Sequence, residues 1–194
     1  MDRQENDSSE ALMLRIAQGD QRAFAALMAR HQDRVIAVAF RFLGNRQEAE
    51  DLAQEVFLRV WRAASSYQPS ARFTTWLYAI TANRCKSVLR SFWRTGVLLL
   101  GAFDDEEAEQ AGFADHRRSP SPEDLALGDE RARQVVVALQ SLPKTQRLAT
   151  ILLRYEGLSY AEIAEVLGVT VPAVESLLVR AKRGLEEKLR PHQE

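Results

Sequence analysis

Side chains suited to nucleic-acid binding are concentrated in one stretch of the chain, residues 56–103. This stretch contains no Asp or Glu, and Arg and Lys are interleaved there with aromatic residues. Because the formal net charge of the whole chain is −1, acidic residues elsewhere must offset this basic segment. Basic groups neutralise phosphates and exposed aromatic rings stack on unpaired bases, so the pattern favours nucleic acid with single-stranded character. A helical core with a solvated basic rim would look the same, so the choice depends on the other segments.

The sequence offers few of the groupings that catalysis or metal binding requires. Cys85 is the single cysteine, and the three histidines, His31, His116 and His192, are scattered without ligand spacing. There is neither a glycine-rich phosphate loop nor a GxSxG nucleophile elbow. We therefore expect no catalytic residue, no metal ion, no cofactor and no small-molecule substrate.

The composition is typical of a soluble protein with one or two small domains. The chain has 194 residues, of which 46% are hydrophobic and 27% are charged. Residues 1–10 are acidic and polar, unlike a secretory signal. The most apolar short run, residues 97–100, falls far below the roughly 20 residues that span a bilayer. We therefore expect a cytoplasmic protein.

Apolar residues recur near helical spacing before Gly44 and indicate an all-α fold. Breaks at Gly19 and Gly44 predict two or three helices in this part of the chain. An acidic first turn then starts another helix, which runs to Trp61 and buries Leu52 and Val56. Its opposite face carries Asp51, Gln54, Glu55, Leu58 and Arg62. A leucine on a polar face suggests a protein partner, although a solvated face with one stray leucine is the commoner pattern.

A loop rich in Ser, Gln and Pro occupies residues 65–72, and a long helix is predicted from about Thr74 to Trp93. The outer surface of this helix is basic and carries an amide, through Asn83, Arg84, Lys86, Arg90 and Arg94. Three aromatic residues lie where the loop meets the helix: Phe73, Trp76 and Tyr78. Each is either a core residue or, where exposed, a stacking partner for an unpaired base.

An acidic segment with several prolines separates the two halves of the chain. Residues 104–109 are mostly acidic, and residues 119–122 read Ser-Pro-Ser-Pro. This composition, with little periodicity, predicts a flexible linker and therefore two helical domains. Beyond it, one helix is predicted from Pro122 to just before Pro143, and another over about residues 145–155.

The last part of the chain carries the signals of two helices joined by a glycine turn. Ser159 and Glu162 have the spacing of a capping box. Gly168 permits a tight turn, and Pro172 is tolerated in the first turn of a following helix over residues 171–189. The exposed side of that helix carries Ala173, Ser176, Val179, Arg180, Lys182 and Arg183. The pattern predicts a DNA-binding helix-turn-helix, although a structural helical hairpin would look similar.

Several longer motifs stand in a fixed order along nearly the whole chain. They are Phe24 to His31, Leu43-Gly44-Asn45, Glu48 to Trp61, Phe73 to Ile80, Asn83-Arg84-Cys85, Leu142-Pro143 and Glu156 to Ala164. Together they resemble the extracytoplasmic-function (ECF) sigma factors, the smallest members of the principal bacterial sigma family. The resemblance implies sigma region 2 over residues 1–96, a flexible acidic linker over 97–127 and sigma region 4 over 128–194. It also implies a protein that starts transcription without catalytic activity of its own.

The resemblance assigns a role to each candidate surface. The helix that ends at Trp61 would bind the clamp helices of core RNA polymerase through Asp51, Gln54, Glu55, Leu58 and Arg62. The loop and the next helix would read the minus-ten promoter element as a separated strand through Tyr67, Gln68, Arg72, Phe73, Trp76, Asn83, Arg84 and Lys86. The helix-turn-helix would bind the duplex minus-35 element through Tyr160, Ser176, Val179, Arg180 and Arg183. Glu175 and Leu177 replace residues that are commonly basic in the family, so the minus-35 sequence does not follow from the resemblance.

Partners beyond polymerase and promoter DNA follow from the resemblance alone. The acidic linker would enter the active-site cleft of the polymerase, and an anti-sigma factor would hold the protein inactive. Two other classes stay open on the residues alone. A stand-alone helix-turn-helix regulator would need a ligand pocket or a dimer face for paired half-sites, and a nucleic-acid enzyme would need clustered carboxylates or metal ligands. The sequence specifies neither the pocket or dimer face of a regulator nor the carboxylate or metal-ligand cluster of an enzyme.

Overall fold

The computed structural model describes residues 8–69, 71–97 and 130–189, with side chains up to Val88 and again from Gln134. The helices in these ranges are α1 (Ser9–Ile16), α2 (Gln21–Leu43), α3 (Arg46–Ala63), α4 (Phe73–Val97), α5 (Glu130–Gln140), α6 (Lys144–Arg154), α7 (Tyr160–Leu167) and α8 (Val171–Leu189). A 3₁₀ turn, Ala64–Ser66, follows α3. The predicted all-α class is confirmed, and no strand occurs in the described ranges.

Helices α1–α4 form an N-terminal bundle in which α2 packs against the other three. Its buried core includes Leu12, Leu27, Phe42, Val56 and Leu77. Local signals set the helix ends. Asp20 caps α2 by accepting from the N–H groups of Arg22 and Ala23, and Asn45 caps α3 in the same manner. Gly44 ends α2 with a φ of 78°, in the left-handed region that favours glycine.

Helices α5–α8 form a C-terminal region in which α8 packs across α6 and α7 and also touches α5. Its buried core includes Leu139, Leu148, Ile151, Ile163 and Val174. Helix α6 begins directly after Pro143, and Ser159 caps α7. Gly168 ends α7 with a φ of 70°. The predicted order of helix, glycine turn and helix is therefore confirmed.

The two regions pack against each other. Helix α2 contacts α5 and α6, and α4 lies against α7. Buried apolar side chains from both regions belong to one continuous cluster. This contact was not predicted, because its residues lie far apart in the chain and follow no local pattern. The predicted linker, residues 97–127, and the predicted helix start at Pro122 lie outside the described residues, apart from Val97.

The described helix ends lie within one or two residues of the predicted ones, except at the C-terminal end of α4. That helix begins at Phe73 and continues to Val97, several residues beyond the predicted end at Trp93. In the described part of the chain, no helix is long and apolar enough to cross a membrane. The same residues contain no group of three or more His, Cys, Asp or Glu that could hold a metal ion.

Candidate protein-binding and nucleic-acid-binding surfaces

The outer face of α3 is the first candidate surface. All of its predicted residues are exposed: Asp51, Gln54, Glu55, Leu58 and Arg62. The apolar stripe on the other side of the helix is buried, with Leu52, Val56 and Val60 in the bundle core. Leu58 is unusual because 53% of its surface is exposed on a face that is otherwise polar. The face therefore offers charged and amide groups around one apolar contact without involving the core.

Arg84 does not point where the sequence predicted. It was expected on the outer surface of α4, but its guanidinium forms an ion pair with Glu55 of α3, and its side chain is only 19% exposed. Because α4 packs against α3, a side chain on the side of α4 that lies next to α3 meets that helix instead of solvent. The predicted outward orientation of Arg84 is therefore wrong, and this residue connects α4 to the outer face of α3.

The loop–α4 junction, residues 67–76, rests on a cluster of aromatic rings. The ring centroid of Trp76 lies 5.0 Å from the ring centroid of Tyr67 and 5.8 Å from that of Phe73. The Phe73 centroid also lies 5.1 Å from the ring of His31. These are ordinary separations for tilted and edge-to-face pairs. Phe73 and Tyr78 are buried core residues, while Tyr67 and Trp76 are half-buried.

A carboxylate from α1 holds the first residue of α4. The Phe73 N–H donates to Oε1 of Glu10 at 3.0 Å, although the two residues are 63 positions apart. This hydrogen bond favours the charged carboxylate and holds the pKa of Glu10 below its ordinary value. In the same helix, Ser9 Oγ lies 2.8 Å from Nε2 of His31. Burial, reinforced by neighbouring arginines, lowers the pKa of His31 to about 4.

The other predicted minus-ten residues differ in exposure. Gln68, Arg72 and Asn83 are exposed, and Lys86 is half-buried. Nη1 of Arg72 lies 3.6 Å from Oε1 of Glu162, a residue of α7 in the C-terminal region. Asn83 lies ten residues after the start of α4, which is roughly 15 Å along the helix.

Local hydrogen bonds set the starts of α7 and α8. The Ser159 N–H donates to Oε2 of Glu162 at 2.9 Å, and the Glu162 N–H donates back to Oγ of Ser159 at 3.3 Å. The first of these bonds is the main cause of the lowered pKa of Glu162. The Ala173 N–H donates to Oγ1 of Thr170 at 3.4 Å, so Thr170 caps the start of α8. Each of these capping bonds joins residues three positions apart.

The predicted minus-35 residues are all exposed. Ser176, Val179, Arg180 and Arg183 lie on the outer side of α8, and Tyr160, at the start of α7, is 40% exposed. Nε of Arg180 donates to the backbone carbonyl of Ser176 at 3.3 Å, which directs its side chain back towards the N-terminal half of α8. Val179 and Tyr160 also border an open groove between α6 and α8.

Arg147, which was not predicted as a functional residue, joins the two regions. This residue of α6 is 5% exposed, and its Nη1 donates to the carbonyl of Phe42 at 2.7 Å. Its Nη2 donates to the carbonyls of Gln140 at 2.5 Å and Leu142 at 3.1 Å. One guanidinium thus binds carbonyls at the ends of α2 and α5, where helices leave such groups unpaired. No local pattern marks Arg147, because Phe42 lies 105 positions away.

Two further contacts cross between the regions. The Arg41 guanidinium lies 4.1 Å from the centroid of the Tyr155 ring, a cation–π geometry. The Tyr78 hydroxyl donates to the carboxylate of Glu156. Burial, together with this carboxylate, raises the pKa of Tyr78 well above its ordinary value. Acidic and aromatic groups of the C-terminal region therefore meet basic and phenolic groups of the N-terminal bundle.

Comparison with known proteins places both regions in known families. Residues 27–95 match sigma-70 region 2, and residues 132–185 match sigma-70 region 4. The RNA polymerase sigma-H factor of Pseudomonas aeruginosa is 36% identical over 189 residues, which is 95% of this chain and 95% of that protein. The ECF RNA polymerase sigma-E factor of Escherichia coli (strain K12) is 32% identical over 185 residues, again with 95% of each chain covered.

Solved structures are similar over most of the fold. CnrH, in a complex with the cytosolic domain of CnrY, matches with a TM-score of 0.67 and 26% identity, covering 94% of this chain and 97% of that chain. The sigma factor RpoE, in a complex with the anti-sigma factor NepR from Bartonella quintana, matches with a TM-score of 0.67 and 25% identity, covering 88% and 98%. With both sigma-70 regions present in order and relatives that match from end to end, the chain belongs to the ECF sigma factors of the sigma-70 family.

Proposed function

We propose that this sigma factor binds core RNA polymerase through the outer face of α3. The contacts are Asp51, Gln54, Glu55, Leu58 and Arg62. The observation that carries this assignment is the exposure of Leu58, an apolar side chain surrounded by polar ones and directed away from the bundle core. An exposed leucine gains from desolvation against a partner, while the charges around it select the partner and the register.

The loop–α4 junction and the following turns of α4 form the proposed minus-ten surface. Its residues are Tyr67, Gln68, Arg72, Phe73, Trp76, Asn83, Arg84 and Lys86. The exposed groups of Gln68, Arg72 and Asn83 bind the bases and phosphates of the separated strand, and the half-buried rings stack on its bases. Phe73 and Arg84 act indirectly in this proposal, because one is buried and the other is paired with α3.

The helix-turn-helix is the proposed minus-35 surface, through Tyr160, Ser176, Val179, Arg180 and Arg183. Arg180 lies nearer the N-terminus of α8, the end of a recognition helix that normally enters the major groove. We assign it a base contact and give Arg183 a phosphate contact. In this proposal, residues 1–96 form sigma region 2, which carries the minus-ten surface. Residues 128–194 form sigma region 4, which carries the minus-35 surface. The acidic segment over residues 97–127 links them and passes towards the active-site cleft of the polymerase.

Regulation by an anti-sigma factor is the remaining part of the proposal. Its support is that a similar sigma factor, RpoE of Bartonella quintana, forms a complex with the anti-sigma factor NepR. In this proposal the chain acts in the cytoplasm, where it meets core polymerase and promoter DNA. It has no catalytic activity, because RNA synthesis belongs to the polymerase.

Substitutions on α3 test the polymerase contact. We expect Asp51→Arg or Leu58→Asp to abolish binding to core polymerase and to leave the far-UV circular dichroism spectrum unchanged. Leu14→Asp on α1 is the matched control, since 56% of Leu14 is exposed against 53% of Leu58. Normal polymerase binding by both α3 variants would remove this face from the proposal and leave a stand-alone regulator as the better interpretation.

Promoter opening tests the minus-ten surface. The promoter is first selected from random duplex DNA with wild-type holoenzyme, and its separated strand is used as a single-stranded probe. We expect Arg72→Ala and Asn83→Ala to reduce permanganate reactivity of the opened strand more than they reduce duplex binding. Arg22→Ala, an exposed arginine at the start of α2, is the control. Equal opening by all variants would exclude the loop from the mechanism.

Binding to base-pair variants of the selected minus-35 element tests the division of roles on α8. Arg180→Ala should cost about 1–3 kcal/mol at one base pair. Arg183→Ala should weaken binding to every variant alike and lower the slope of the salt dependence by about one unit. Unchanged affinity in both variants would show that this helix does not face DNA.

A further inference from the structure

We propose that Glu10 is a positioning residue for minus-ten recognition. It lies in α1, before the region that matches sigma-70 region 2, and its carboxylate accepts from the Phe73 N–H at 3.0 Å. That N–H belongs to the first residue of α4, where N–H groups lack a partner within the helix and the helix dipole favours a negative charge. The inference rests on the proposed function, in which the junction at the start of α4 binds the separated strand.

The surroundings of Glu10 connect it to both ends of the junction. Helix α1 packs against α2 and against the 3₁₀ turn that leads into the loop. The neighbouring Ser9 binds His31, whose ring packs on Phe73. Burial, and after it the charge of Glu10, raise the pKa of Tyr67 at the other end of the junction. Loss of the carboxylate therefore releases the start of α4 without removing any group that touches DNA.

Three variants test the role of Glu10. Glu10→Ala removes the acceptor, Glu10→Gln keeps an acceptor oxygen, and Asp20→Ala removes a comparable cap from α2. We expect Glu10→Ala to weaken holoenzyme binding to the selected single strand about five- to tenfold, the effect expected for a lost cap. Glu10→Gln should restore most of this affinity, and affinity for core polymerase should not change in any variant.

The controls separate this inference from the proposed function. Equal losses in Glu10→Ala and Asp20→Ala, or no rescue by Glu10→Gln, would reduce Glu10 to an ordinary stabilising residue and overturn the inference. If Arg72→Ala loses strand binding while Glu10→Ala does not, only the role of Glu10 fails. If neither variant loses it, the proposed minus-ten surface fails.

Discussion

The loop–α4 junction and the helix-turn-helix are both proposed DNA-binding surfaces, but different kinds of contact hold them. In the helix-turn-helix, the bonds that cap the two helices join residues three positions apart, such as Ser159 and Glu162. At the junction, Phe73 binds Glu10 across 63 positions and packs on the ring of His31. The turn can therefore form from its own sequence, whereas the junction exists only after α1, α2 and α4 have packed. Damage to the junction should spread through the bundle, and damage to the turn should stay local.

The largest effect is expected from a matched pair of aromatic truncations. Phe73 and Tyr160 are each the first residue of a helix, but Phe73 is fully buried and Tyr160 is 40% exposed. We expect Phe73→Ala to lower the free energy of unfolding by about 3–5 kcal/mol and Tyr160→Ala to lower it by less than about 1 kcal/mol. Urea denaturation followed by circular dichroism measures both. Similar losses in the two variants would contradict the contrast between the surfaces.

Acid should weaken the junction through His31. Its pKa in the folded chain, about 4, lies below the ordinary value of 6.5. At pH 7.5 and above, His31 is almost entirely neutral in both the folded and the unfolded chain. As the pH falls below 6.5, the unfolded chain binds a proton that the folded chain excludes, so the free energy of unfolding decreases. Between pH 7.5 and pH 5 the decrease due to His31 should be about 2 kcal/mol.

His31→Gln isolates this contribution, because it removes the titrating ring and keeps a side chain that can bind Ser9. The variant should lose about 2 kcal/mol less than wild type over the same pH range, as measured by urea denaturation at each pH. Parallel pH profiles would mean that His31 is protonated equally in the folded and unfolded chains.

The glycine turn should show a smaller and purely local effect. A Cβ at Gly168 would meet no other atom within 4 Å, so only the left-handed φ of +70° opposes a side chain there. Gly168→Ala should lower the free energy of unfolding by about 1–2 kcal/mol. Gly168→Asn should cost less, since asparagine tolerates this conformation better. Minus-35 binding should weaken in Gly168→Ala while strand binding is kept, and loss of strand binding would show that the two surfaces are coupled.

The smallest effect on stability is expected at Tyr67, the first residue of the loop–α4 junction. The Tyr67 hydroxyl is buried without a hydrogen-bond partner among the described residues, while its ring packs on Trp76. Tyr67→Phe should therefore change the free energy of unfolding by less than about 0.5 kcal/mol. A loss of strand binding in this stable variant would assign the hydroxyl a contact to DNA. A large loss of stability would instead show that the hydroxyl supports the junction.

The local sequence pattern was sufficient to predict a large part of the secondary structure and of the exposed faces. The breaks at Gly19 and Gly44, the capping box of Ser159 with Glu162, and the outward face of Leu58 all follow from residues a few positions apart. These predictions are confirmed because caps, glycine turns and helical periodicity act within one or two turns of chain. Arg84 shows the limit of that reasoning, because its direction depends on which helix lies beside α4.

By itself, then, the sequence determined which segments are helical, which faces are apolar and which motifs mark the sigma-70 regions. Tertiary structure alone decided that Glu10 reaches the start of α4, that Arg84 pairs with Glu55, and that Arg147 joins the ends of α2 and α5. The contacts of Glu10 with Phe73, of Arg84 with Glu55 and of Arg147 with Phe42 join groups that are 63, 29 and 105 positions apart. Such groups meet only when helices have packed, and no periodicity within a helix records which partner will lie against it.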